Sequence, residues 1–327
     1  MKRRATWLAA APLAAITALV PFGAEPAGAE TLAVFTKSSG NPVARAVRAG
    51  AEQVAKANGF TVFNYIPTSP DNANQQTGLV DAMLRDKRDA VVFTPVDVKI
   101  MIPAVQKINA AGIPLVNVTD KIAGGNIDAF VNTDDYSIAL DTARMLLKAM
   151  DGKGNLVVLD GPDTVPTAAA RARGFKDALK EFPNVKVTLS KNAQYARPVA
   201  KDLFTAMLKL SSPPPVDGVL AANDAMALGA IEAYKELKKK LPLVVGINAS
   251  KEAVDLIKAG EMLASGDYTG HIDGCIGAEI AIKLLHKQPV PKEVTAKSVV
   301  VDKTNLAPYE IPVERRMCPT LESLAAK

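Results

Sequence analysis

The residues of this 327-residue chain that could do chemistry fall mostly at one kind of place, directly after short apolar runs. Lys37 follows LAVFT, Asp97 follows AVVFTPV, and Thr119 and Asp120 follow LVNV. Asn223 and Asp224 close LAAND, and Asn248 closes VVGIN. Arg171 and Arg173 stand in RARGF. Ammonium, guanidinium, amide, hydroxyl and carboxylate together both donate and accept hydrogen bonds, which is what a molecule rich in hydroxyls requires. They do not make a catalytic set. The two histidines, His271 and His286, fall on one helical stretch and pair with no evident nucleophile. A nucleotide-binding enzyme needs a glycine-rich turn after its first strand, and KSSGNP offers one glycine. Gly152, Lys153 and Gly154 precede a strand, the wrong context for phosphate. A calcium loop needs spaced oxygen ligands, and Asp71 is the lone acid in 70–76. No cofactor is expected, and a doubly wound enzyme is the remote alternative.

The elements that must position these residues alternate. Apolar runs at Leu32–Thr36, Thr61–Tyr65, Ala90–Thr94 and Leu115–Val118 read as buried parallel strands. A second set falls at Asn155–Leu159, Lys186–Leu189, Gly218–Ala221 and Leu243–Ile247. Amphipathic stretches lie between them: Pro42–Asn58, Ser137–Met150, Ala169–Glu181, Val199–Lys209, Asp224–Leu237 and Lys251–Lys258. Parallel strands need crossovers, so the pattern predicts two similar doubly wound α/β domains. Ligands of such sheets bind outside the carboxyl ends of the strands, where the polar residues stand.

The N-terminus reads as a cleaved secretory signal over residues 1–29. Lys2, Arg3 and Arg4 precede an apolar stretch from Thr6 to Val20, and Ala27-Gly28-Ala29 supplies small residues for cleavage. Pro12 and Pro21 interrupt the apolar run, which falls short of the ~20 residues that span a bilayer. No cysteine follows the cleavage point, so a free periplasmic protein is expected. Losing Lys2, Arg3, Arg4 and Glu25 lowers the formal net charge from +5 to +3. That charge is small and dispersed, which argues against nucleic acid or an anionic membrane as partner. Cys275 and Cys318 lack metal-site spacing. They read either as a disulfide joining the C-terminal tail to the Cys275 helix, or as a buried thiol plus an unpaired one.

Six segments also carry a family resemblance: TKSSGNP at 36–42, GIPLVNVTD at 112–120, RARGF at 171–175, LAANDAMALGA at 220–230, VVGIN at 244–248 and GEMLASGDY at 260–268. The chain resembles periplasmic sugar-binding proteins of the ribose, allose and galactose type over nearly its whole mature length. ANDAMALGA is shared with lactose-type repressors, which carry an N-terminal helix-turn-helix where this chain has a signal segment. The resemblance implies the type I periplasmic binding protein fold, with three hinge crossings near Thr133, Tyr268 and Val299. The first lobe is then 30–133 plus 269–298, the second 134–268 plus 299–310, and 311–327 a tail without an assigned role. It also implies a monomer that captures a sugar or polyol and hands it to an inner-membrane ABC permease. The alternative is a sensor that presents its ligand to a chemoreceptor or sensor kinase.

Matched onto this sequence, the ligand-binding residues implied are Lys37, Asn41, Thr119, Asp120, Arg171, Tyr195, Asn223, Asn248, Asp267 and Tyr268. Asn41 also suits a helix cap, and Asp224 ranks below Asn223 because it too could cap a helix. The register at Asp120 and at Asp267–Tyr268 is ambiguous by one residue. Val43 and Ala44 stand where the family has two aromatics, which leaves Tyr195 as the stacking candidate. Asn248 replaces a family aspartate. A smaller or acyclic polyol fits these departures, as does an acidic derivative neutralised by Lys37 and Arg171.

Overall fold

Residues 28–163 and 165–325 are described in the computed structural model. The expected signal segment lies outside them except for Gly28 and Ala29. The first lobe opens with β1 (Thr31–Phe35), α1 (Pro42–Ala57), β2 (Thr61–Tyr65) and α2 (Ala73–Arg85). It continues through β3 (Ala90–Phe93), α3 (Ile102–Ala110), β4 (Leu115–Val118) and β5 (Ala129–Thr133). The second lobe runs through α4 (Asp135–Ala149), β6 (Lys153–Asp160), α5 (Pro166–Lys180), β7 (Asn184–Asn192) and α6 (Arg197–Leu208). It adds β8 (Gly218–Ala221), α7 (Asp224–Glu236), β9 (Leu243–Ile247), α8 (Lys251–Ala259) and β10 (Ala264–Gly266). The chain then forms α9 (Gly270–Leu285), β11 (Glu293–Ala296), β12 (Val300–Val301), α10 (Ala307–Glu310), a 3-10 turn (Val313–Arg315) and α11 (Leu321–Ala325).

These strands make two six-stranded sheets, ordered β11-β5-β4-β3-β1-β2 and β12-β10-β9-β8-β6-β7. All pairings are parallel except β10 with β12. The central strands are buried on both faces, which is why they appear in the sequence as unbroken apolar runs. The edge strands differ. β7 extends over Asn184–Asn192, well past the expected Lys186–Leu189, because an edge strand half exposed to water carries little apolar signal. Helix α4 starts at Asp135, not at Ser137 as the pattern suggests, because Asp134 caps it by accepting from the Tyr136 and Ser137 amides at 3.1 Å. That shift places Asp135 in the first turn. Helices α1 and α9 meet at glycines: a Cβ on Gly274 would fall 2.0 Å from the Val47 carbonyl oxygen.

The chain passes between the sheets after Thr133, between Gly266 and Gly270, and between Ala296 and Val300. The tail then adds a fourth passage. Tyr309 of α10 packs on the second-lobe core, and Glu310 pairs with Lys258 of α8. Three residues later the 3-10 turn lies against α1, where Arg45 Nε donates to Glu314 at 2.7 Å. Cys318 is disulfide-bonded to Cys275 of α9, and Leu321 and Leu324 join the first-lobe core. The tail therefore straps the two lobes together.

His271, beside this disulfide, is buried, and burial with the Arg316 guanidinium nearby pulls its imidazole down to about 4. Bonding of both sulfurs to each other leaves His271 without thiolate neighbours for a metal. The unfolded chain protonates this histidine near pH 6.5, so its neutral burial costs stability progressively as pH falls from about 6.5 to 4. Asp135 and Asp267, both pushed up to about 6, act in the opposite sense between about 6 and 3.8.

Two outcomes follow for denaturant unfolding. Cys275→Ser with Cys318→Ser should remove about 4 kcal/mol, the chain-entropy value for a cross-link spanning 43 residues. His271→Gln should gain on the wild type by ~2 kcal/mol between pH 7.5 and pH 4.5, because it deletes the group that must stay uncharged.

Candidate functional site

The carboxyl ends of the two sheets supply the polar residues. After β1, Lys37 reaches across to the turn after β4, and its Nζ lies 2.6 Å from Asp120 Oδ2. That turn is built by Asn117, a fully buried amide inside the apolar run LVNV. Its Nδ2 donates to the carbonyls of Phe93 and Asp120 at 3.0 Å, and its Oδ1 accepts from the Ile122 amide at 2.8 Å. The amide thus holds Thr119 at a positive φ of 67°, an uncommon conformation for a β-branched residue. Gln76 does the same for the loop after β3, bonding the Thr94 carbonyl and the Val96 amide. Neither was singled out from sequence. For Asn117 the available signal was a lone amide in an otherwise apolar stretch; Gln76, in the polar run ANQQT, carries no such signal.

In the second lobe, Arg171 of α5 is buried at the centre. Its Nε donates to Asp135 Oδ1 at 2.7 Å and its Nη1 to the Ala222 carbonyl at 2.7 Å. Burial opposes the guanidinium charge, but Asp135, Tyr195 and Tyr268 together outweigh it and raise the arginine pKa. For Asp135 burial dominates and pushes the carboxyl up to about 6, so the pair is ionic at neutral pH. Tyr195 and Tyr268 lie on the guanidinium, with ring centroids 5.7 and 5.0 Å from its carbon. The Tyr195 ring rests on Gly161, where a Cβ would come within 2.3 Å of Cζ.

The lobes meet here. Asp120 of the first lobe is near enough to add its field to Asp135, Tyr195 and Tyr268 of the second. Val43, at the start of α1, packs against the second-lobe core. Among the described residues seven buried side-chain oxygens lack a hydrogen-bond partner; those of Gln53, Thr142 and Asp273 lie within helices, and the other four are Thr94 Oγ1, Thr119 Oγ1, Asp120 Oδ1 and Tyr195 Oη. Thr167 approaches the tyrosine hydroxyl without hydrogen-bond geometry. Natural structures seldom leave such atoms orphaned, and these four lie just beyond strand ends.

The structure brings together Lys37, Thr119, Asp120, Arg171, Tyr195 and Tyr268. It gives others local work. Asn41 caps α1, accepting from the Val43 amide at 2.8 Å and the Ala44 amide at 3.2 Å. Asn223 caps α7 through the Met226 amide and donates to the Tyr195 carbonyl at 3.1 Å. The capping role suggested for Asp224 therefore belongs to Asn223. Asp224 instead accepts from Ser265 Oγ and the Ser250 amide, pinning the turn after β9. Asn248 sits in that turn at φ 133°, its amide bonded to the Gly266 carbonyl. The ambiguous pair after β10 divides. Asp267 turns to the tail, where Tyr309 Oη donates to it at 2.9 Å, and Tyr268 faces Arg171. Successive side chains of extended backbone point to opposite faces, so only one of the two can enter the cleft. Two surface grooves, of about 280 and 440 Å³, lie elsewhere on the second lobe and contain none of these residues.

Two parallel-sheet lobes with facing polar strand ends, tied by short crossings, make a two-lobed fold with a polar seam between the sheets. Comparison supplies the family. Residues 32–289 match the periplasmic binding protein domain, and the chain belongs to that family. A D-apiose import binding protein of Paraburkholderia graminis is 32% identical, covering 81% of this chain and 83% of its own. A putative rhizopine-binding protein of Rhizobium meliloti is 30% identical over 95% of this chain and 99% of its own. Among solved structures, an ABC transporter periplasmic solute-binding protein from Actinobacillus succinogenes with bound D-allose superimposes with a TM-score of 0.79. Its identity is 30%, covering 85% of this chain and 99% of that one.

Tyr195→Phe is the cleanest probe of the site. The hydroxyl has no partner among the described residues, so its removal should leave unfolding stability unchanged or raise it by up to about 1 kcal/mol.

Proposed function

We propose that this chain is an exported, periplasmic solute-binding protein that holds an uncharged sugar or polyol between its lobes. It acts as a monomer and delivers the ligand to an inner-membrane ABC permease. The relatives named above, with their apiose, rhizopine and allose ligands, support the class. The four unpartnered oxygens beyond the strand ends carry the reading. Three are hydroxyls able to donate or accept, and the fourth is a carboxylate acceptor, a set that vicinal hydroxyls satisfy. Lys37, Thr119, Asp120, Arg171, Tyr195 and Tyr268 line the site in this reading, with Thr94 added. Asn41, Asn223 and Asn248 contribute the hydrogen-bonding capacity left after their backbone bonds.

The rigid bodies of closure are 30–133 with 269–298 and 134–268 with 299–310. Ligand bridging both lobes stabilises the closed arrangement by its differential affinity, and that arrangement is what the permease recognises. The acidic ligand left open by sequence is disfavoured, because Lys37 and Arg171 already face Asp120 and Asp135.

A thermal-shift screen of refolded protein tests this, using pentoses, hexoses, alditols, cyclitols, nucleosides and sugar acids. A neutral ligand at ~100 times its Kd should add about 2.7 kcal/mol of stability. Tyr195→Phe should weaken the best hit about tenfold, matching the ~1.4 kcal/mol of one lost hydrogen bond. Stabilisation by sugar acids alone, or by nothing on the panel, would overturn the proposal.

A further inference from the structure

An arginine buried at the centre of a cleft is the natural receptor for a carboxylate, because its planar fork matches two oxygens. In this protein Asp135 takes that place. The two consecutive aspartates at the start of α4 divide their work. Asp134 caps the helix through the Tyr136 and Ser137 amides and the Ser137 hydroxyl. Asp135 turns away from those amides and meets Arg171 Nε at 2.7 Å, with both side chains nearly inaccessible to water. The bond is therefore not a by-product of capping.

The remaining cations near the cleft are committed as well. Lys37 is held by Asp120, with Asp71 also in its field. Arg48 of α1 donates to Thr36 Oγ1 and to the carbonyls of Ser38 and Ser39, holding the loop after β1 from behind. Arg173 lies over the Tyr136 ring, away from Arg171. Among the described residues an entering carboxylate would meet the carboxylates of Asp120 and Asp135, each already paired with the cation beside it, in a site where desolvation makes unpaired charge costly.

We propose that Asp135 is the specificity-determining residue that makes this cleft refuse anionic sugars, by occupying the guanidinium of Arg171. The idea rests on the proposed sugar or polyol site and adds a cause for the neutrality of its ligand. Asparagine at 135 keeps an oxygen for Arg171 Nε and the shape of the side chain, but removes the charge. Arg171 would then be a cation without a counter-ion, and the ligand could supply one.

The test compares wild-type protein with Asp135→Asn by titration calorimetry. The probes are the tightest neutral binder from the screen and the aldonate and uronate of the same carbon skeleton. Wild type should prefer the neutral sugar by tenfold or more. In Asp135→Asn that preference should shrink at least tenfold, through tighter binding of an acid. Adding Arg171→Gln should abolish the gain, since it deletes the cation exposed by the first change. An unchanged preference in Asp135→Asn, with neutral binding intact, would overturn the role of Asp135 and leave the sugar reading standing. Equal wild-type affinity for acid and neutral forms would overturn it without any variant, even if Asp135→Asn fails to fold. Absence of binding to every neutral probe would defeat both readings together.

Discussion

The ion pair between Arg171 and Asp135 is the contact on which the cleft is organised. It joins the start of α4 to α5, and through the Ala222 carbonyl it fixes both to the end of β8. Two tyrosines from separate loops lie against the same guanidinium. A buried pair of this kind contributes little net stability, because desolvation of both ions offsets most of their attraction. Removing one partner is another matter, since the survivor is left charged in an apolar surrounding. The pair thus acts as a constraint on geometry. Wherever Arg171 stands, four elements of the second lobe must converge.

The first lobe follows a parallel logic with weaker means. A neutral amide, Asn117, organises the turn that presents Thr119 and Asp120, and Gln76 organises the loop after β3. Their bonds go to backbone groups that would otherwise be orphaned at strand ends, so each amide fixes a loop without adding charge. Lys37 then closes the lobe's polar surface onto Asp120. The charges facing the cleft are mainly matched within each lobe before the lobes meet. A ligand is left to satisfy hydrogen bonds rather than to neutralise an ion.

Around this site the connections differ from the three crossings that family resemblance implies. The tail crosses once more, gripping the second lobe through Tyr309 and Glu310 and the first through Glu314, Cys318 and Leu321. Asp267, assigned to the ligand by sequence matching, is where this strap meets the second crossing. Its carboxyl serves the architecture because its neighbour Tyr268 already occupies the cleft side of the chain.

The two-lobe α/β plan and the level of the binding site were legible in the residue pattern. Central strands buried on both faces must be continuously apolar, so β1, β3, β4, β8 and β9 were visible as runs, and their polar termini as candidate ligands. Lys37 and Asp120 were legible for that reason, whereas Arg171 and Tyr195 were legible through the family resemblance. What those groups do to each other is set by contacts between distant segments. Asp135 looks like a helix-cap acid in sequence, and Asn117 like a flaw in a strand. Their partners stand 36 and 24 residues away, beyond the reach of any local pattern. The short strands β10, β11 and β12, the exposed edge of β7 and the course of the tail were hidden likewise. Their positions are set by pairing and packing against distant segments, which leave little periodicity in the residues themselves.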